Sequence, residues 1–314
     1  MKMNMKRKVS CLLAATLICT SLFSTVAYAE PIEPEYESIV HYDSDTGTYE
    51  EIQVSTELPA GDSGISPGYM GDAPMPMQPF SIVDPPDNRY TVQNPDQVPY
   101  RYIGIMSGLF ADGTQTNGTA FLVSEDVILT SAELVYMNGK GMAEYILFQP
   151  GVNNKTMGEN APYGMVQADR EDIYISANFK DDVDKNKPTQ IEHRYAVIKL
   201  NTAIGRQTGY FGIEAMSSTT NAYQGVNVTV AGYTPAYELK KQPGNVIYSY
   251  GGEIRYRIDT EESQLGAPVY ETTPLLNGYY VRGINVLEAK EIGSTYNAGR
   301  TITAALYNVI KSRM

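Results

Sequence analysis

The sequence predicts an all-β barrel or sandwich protein that ends in a single helix. Three observations support this. Short runs rich in Val, Ile and Tyr alternate with small or polar residues, and Gly or Asn mark the corners between them. Only the segment Thr303–Arg313 repeats its apolar positions at helical spacing. Many strands with one terminal helix suit packed sheets better than a sheet covered by helices. The 314 residues suffice for one large domain or two modest ones, and 42% hydrophobic against 19% charged residues allows a real core.

The chain opens with a basic head of Lys2, Lys6, Arg7 and Lys8. Leu12 to Val26 is apolar but too short to span a bilayer comfortably, and Ala27-Tyr28-Ala29 offers small residues for cleavage before Glu30. Residues 1–29 read as a secretory signal peptide. The mature chain is then expected outside the cell or on its surface, with no membrane span left. Cys11 and Cys19 both lie in this segment, so the mature fold must stand without disulfides. Removing it leaves 20 basic against 36 acidic residues, a formal charge of −16. A surface of that sign repels phosphate backbones and argues against nucleic acid as a partner. Two histidines and no cysteine exclude zinc modules, and neither a metal nor another cofactor is expected.

Residues 30–80 form an acidic leader. Between Glu30 and Asn88 there are 13 acidic residues and no Lys or Arg. Pro31, Pro34, Pro59, Pro67, Pro74, Pro76 and Pro79 punctuate it, and its few apolar residues argue against an independent core. Ser38–Val54 could make a hairpin around Asp45-Thr46-Gly47. The leader reads either as a prosegment that assists folding or covers a groove, or as a disordered spacer. Composition does not separate the two.

The body, residues 81–314, carries the strands. Tyr102–Met106, Thr119–Val123, Val127–Thr130 and Tyr145–Gln149 read as strands, as do Ala196–Leu200, Val226–Ala231, Val246–Tyr250, Ile254–Ile258 and Tyr279–Val286. In the terminal helix Leu306, Val309 and Ile310 share one stripe, with Lys311 and Arg313 in the last turn. No Walker loop, dinucleotide fingerprint or HExxH motif occurs.

Three segments of the body then stand in a telling order. Gly118-Thr119-Ala120-Phe121-Leu122-Val123 precedes Leu129-Thr130-Ser131-Ala132-Glu133-Leu134-Val135-Tyr136. Arg194-Tyr195-Ala196-Val197-Ile198-Lys199-Leu200 follows, and then Asp259-Thr260-Glu261-Glu262-Ser263-Gln264-Leu265-Gly266-Ala267-Pro268-Val269-Tyr270. Together they resemble secreted trypsin-like serine endopeptidases, bacterial glutamyl endopeptidases in particular. Supporting stretches are Pro99-Tyr100-Arg101, Thr208-Gly209-Tyr210-Phe211-Gly212 and Ser294-Thr295-Tyr296-Asn297. The resemblance implies two packed six-stranded antiparallel β-barrels with a C-terminal α-helix and an active-site cleft between the barrels.

The chemistry of that family does not carry over residue by residue. It needs a serine nucleophile, a histidine base and an aspartate that orients the histidine. The matching positions hold Leu265, Glu133 and Arg194. Leu265 has no heteroatom to attack a carbonyl, and a guanidinium cannot stabilise an imidazolium. The glycine of the oxyanion loop is replaced by Ser263, within the stretch Ser263, Gln264, Gly266. Ile284-Asn285-Val286 holds no histidine to recognise a substrate carboxylate, so glutamate specificity is not implied. His193 adjoins the aspartate position and reads as a surface or strand-end residue.

No catalytic residue is therefore expected. Glu133 and Arg194 either pair across the vacated site or turn to solvent. The leading expectation is an inactive homologue that binds a protein or peptide in the cleft. The alternatives are an endopeptidase with unrecognised catalytic groups and a structural or adhesive surface module. Asn117-Gly118-Thr119, Asn154-Lys155-Thr156 and Asn227-Val228-Thr229 fit the glycosylation acceptor pattern, and read as chance matches in a bacterial chain. Asp181, Asp182 and Asp184 could hold calcium, but the interleaved Lys180, Lys185 and Lys187 read as a solvated loop.

Overall fold

The computed structural model describes residues 36–71, 88–152, 161–216, 220–273, 278–287 and 296–314. The expected signal peptide, both ends of the leader and Asn154-Lys155-Thr156 lie outside these residues. In the leader are β1 (Tyr36–Asp43), β2 (Thr48–Ser55) and β3 (Ile65–Ser66). The body continues with β4 (Tyr90–Thr91), β5 (Ile103–Leu109), β6 (Gln115–Leu122), β7 (Val127–Thr130), β8 (Tyr136–Met137), β9 (Gly141–Met142), β10 (Tyr145–Pro150), β11 (Val166–Asp169), β12 (Ile173–Ser176) and β13 (Ala196–Lys199). Its second half holds β14 (Gly212–Glu214), β15 (Asn227–Tyr233), β16 (Leu239–Tyr250), β17 (Glu253–Tyr256), β18 (Pro268–Thr273), β19 (Gly278–Leu287) and β20 (Asn297–Thr301). The helices are α1 (Ala177–Asp184), the single turn α2 (Gly205–Thr208) and α3 (Ala304–Lys311).

The first sheet runs β11-β10-β5-β6-β7-β13-β12-β1-β2. Its central strands are buried on both faces, as in β7 and β12, where all four residues are buried. That is why β7 reads as a continuous apolar run, whereas β11, with burial on one face, keeps the alternation. The second sheet closes on itself. The path β18-β15-β16-β17-β20-β19 is completed by pairing of β18 with β19. The all-β, trypsin-like fold with a C-terminal helix is thus observed; the second barrel closes with six antiparallel strands, and the first sheet runs to nine with the leader's β1 and β2 at its edge.

Aromatic rings fill the seam between the barrels. Phe211 packs edge-on against Tyr102 at 5.1 Å and Phe121 at 5.9 Å, and tilts onto Tyr270 at 5.1 Å. Helix α3 adds Leu306, Tyr307, Val309 and Ile310 to the same core. Thr303 caps it by accepting from the Leu306 amide, which fixes where the helix begins.

The structure corrects one reading. Residues 180–184 lie not in a loop but in α1, where Lys180–Asp184 and Asp181–Lys185 pair at i,i+4 spacing. Only Phe179 of α1 is buried, so its charges hide the helical stripe. In the leader β1 and β2 make the expected hairpin, and β1 pairs with β12 through Ile39–Ser176 and Val40–Ile175.

Candidate functional site

Strand register builds the site. Ala196 of β13 lies opposite Thr130 of β7. Continuing that register brings the residues after β7 alongside those before β13. Glu133 sits in the 3₁₀ turn Ala132–Leu134, and Arg194 ends the turn Ile191–His193. The Arg194 Nε donates to Glu133 Oε1, and the Ser131 hydroxyl donates to Glu133 Oε2. The side chains are 12% and 25% exposed for Arg194 and Glu133. The carboxylate and guanidinium expected to face each other therefore form a largely buried ion pair.

Leu265 follows the 3₁₀ turn Glu262–Gln264 and packs, half-buried, on the apolar cluster of the first barrel. Its carbonyl accepts from the Thr119 amide at 2.9 Å. Gly266, the next residue, lies against Thr119, Thr130 and Ser131, the residue whose hydroxyl donates to Glu133. Ser263 turns away: its hydroxyl is buried with no hydrogen-bond partner among the described residues. Gln264 is buried and donates to the carbonyls of Gly232 and Lys240.

Sequence reasoning missed how the backbone runs here. The Leu265 amide donates to the Glu262 carbonyl at 3.0 Å. An amide so engaged does not point at an incoming oxyanion. A capping box between Glu261 and Gln264 holds the turn, and Arg89 clamps both side chains, at 2.7 Å and 3.0 Å. The Glu–x–x–Gln spacing was the signal available for it. Asn285 is buried and fully engaged. Its Oδ1 accepts from the Tyr256 hydroxyl and its Nδ2 donates to the Gln264 carbonyl. It offers no positive charge to a substrate carboxylate.

One arrangement mimics a triad. His193 Nδ1 lies 3.4 Å from Ser176 Oγ, and its Nε2 lies 3.5 Å from Glu192. Ser176 has no exposed surface and is locked in β12 beside Ile39, so no carbonyl can reach it. Burial pushes the His193 imidazole below its ordinary value, against the pull of Glu192 and Glu37. The folded chain then keeps the ring neutral where the unfolded chain would protonate it. Its stabilising contribution is full above about pH 6.5 and declines as pH falls below that. Melting temperatures from pH 8 to 5 should drop more steeply in wild type than in His193→Gln. Equal slopes would refute this.

A cavity of about 580 Å³ opens beside His193 and is lined also by Tyr36, Glu37, Glu192 and Arg300. Glu133, Arg194 and Leu265 are not part of its lining. Among the described residues no helix is long and apolar enough to cross a membrane.

No family model matches the chain. A glutamyl endopeptidase of Bacillus licheniformis is 27% identical over 244 residues, covering 73% of this chain and 69% of the relative. Another from Staphylococcus epidermidis is 24% identical over 276 residues, covering 85% and 88%. Among solved structures, a Glu endopeptidase in complex with MPD superposes with a TM-score of 0.57 at 21% identity, covering 74% of this chain and 98% of that one. The protease Anisep from Arthrobacter nicotinovorans gives 0.55 at 14%, covering 71% and 99%. Sequence relatives and fold neighbours point the same way: the chain is similar in sequence to glutamyl endopeptidases and shares the trypsin-like serine endopeptidase fold.

Proposed function

We propose that the chain is a secreted, proteolytically inactive member of the trypsin-like serine endopeptidase family that works by binding a protein or peptide in the cleft between its barrels. The observation that carries the reading is the Glu133–Arg194 ion pair. By motif matching it stands where a base and its orienting carboxylate belong, with aliphatic Leu265 at the nucleophile position. In another serine protease, losing the nucleophile alone lowers turnover by about 10⁶-fold. The Leu265 amide, turned onto Glu262, removes an oxyanion donor as well. One such donor is worth about 10² to 10³ in turnover.

A fluorophosphonate probe and a mixed peptide library test this on the secreted chain. Neither labelling nor cleavage is expected, and Ser176→Ala should change nothing. Probe attachment at one serine, with cleavage abolished by its substitution, would establish an enzyme instead. The triple variant Glu133→His, Arg194→Asp, Leu265→Ser is expected to remain unlabelled while the Glu262 carbonyl holds the amide of residue 265. Capture of a peptide or protein, lost on substituting cleft residues, would distinguish binding from a purely structural role.

A further inference from the structure

We propose that residues 36–71 are a permanent part of the folded body, bound across both barrels, and neither a spacer nor a segment shed on maturation. This does not depend on whether the chain is an enzyme.

The leader is tied to the body along its described length. Ile39 and Val40 are buried, one in each of two core clusters. The Tyr49 hydroxyl oxygen accepts from the Met142 amide at 2.9 Å and would lie 2.7 Å from a Cβ on Gly141. Further on, Asn308 of α3 donates to the carbonyls of Ser55 and Glu57 at 2.9 Å and 2.7 Å. Tyr307, also of α3, donates to Asp62 at 3.1 Å. β3 then pairs with β14 of the second half, and Tyr69 exchanges both backbone hydrogen bonds with Tyr210, at 2.9 Å and 2.7 Å.

Three features show that the body is shaped around this segment. Arg101 is 1% exposed, and its guanidinium donates to the carbonyls of Met70 and Thr208. A buried arginine whose acceptors include the leader would lose a partner if the leader left. Gly68 and Gly71 approach backbone so closely that a Cβ on either would lie 2.5 Å from the amide nitrogen of Gly212 or Gly209. Glu37 accepts from the buried Tyr195 hydroxyl and lies 3.5 Å from Arg300, which is itself buried. Tyr195 follows Arg194 directly, so the leader's carboxylate reaches the residue behind the ion pair. A spacer would not supply a buried charge to the body it leads into.

The test uses the full chain with a unique protease recognition sequence inserted after Gly71. After cutting, the two pieces should co-elute on size exclusion and separate only in denaturant. Separation with unfolding of the body would also support the proposal, since a spacer can leave without consequence. Separation with an unchanged melting temperature of the body would overturn it. Hydrogen exchange on the uncut wild type guards against an insertion that fails to fold. Amides of β1 and of Tyr69 should exchange about 10³-fold more slowly than in an unstructured peptide. Rates within tenfold of the unstructured values, with β13 still protected, would also sink the proposal.

Discussion

Arg194→Ala is expected to destabilise the protein by about 2 kcal/mol, lowering the melting temperature by roughly 4–8 °C for a domain of this size. The substitution leaves Glu133 in a largely buried place, with the Ser131 hydroxyl its remaining side-chain donor among the described residues. Glu133→Ala should do comparable harm by removing the carboxylate to which the guanidinium donates. The double variant should lose less than the two singles added together, because the interaction between them can be lost only once. The measurement is chemical denaturation of all four proteins. Single losses below about 0.5 kcal/mol, adding without coupling, would mean that solvent screens the pair as it does at open surfaces.

Gly266→Ala should be as damaging or worse. Gly266 has φ +83°, and a Cβ there would lie 2.2 Å from both the Thr119 carbonyl and the Thr130 hydroxyl. Neither can retreat easily. The Thr119 amide is bonded to the Leu265 carbonyl, and the Thr130 hydroxyl donates to the Thr119 carbonyl at 2.7 Å. The left-handed backbone alone costs about 1–2 kcal/mol for a residue with a Cβ. The overlap should bring the total to about 3–4 kcal/mol, or prevent folding. Gly113 supplies the control, with φ +83° and nothing within 4 Å of its Cβ position. Gly113→Ala should therefore show only the backbone component. Equal losses at the two sites would show that the close contacts around Gly266 do not matter.

The strands were readable where burial is complete. Val127–Thr130 has the same bounds in sequence and structure because all four residues are buried. The leader hairpin was readable from its turn: Gly47 takes φ +69°, and Asp43 accepts from the Asp45 amide at 2.8 Å. Helix α1 was not, since one buried ring among charges carries almost no period. At the site, the opposed charges of Glu133 and Arg194 made their pairing foreseeable. The turn of the Leu265 amide was hidden, because it depends on Arg89, far away in sequence, gripping Glu261 and Gln264. The same limit applies to the leader. Its composition shows few apolar residues, whereas its attachment uses backbone contacts and isolated buried groups that composition does not register.

The belt that lengthens the first sheet also ends it. β2 is its outermost strand, and a bare strand edge invites a second molecule to add on and propagate into fibrils. Glu50 and Glu51 sit exposed in the middle of β2. Stacking another copy there would crowd carboxylates against each other, a deterrent to aggregation.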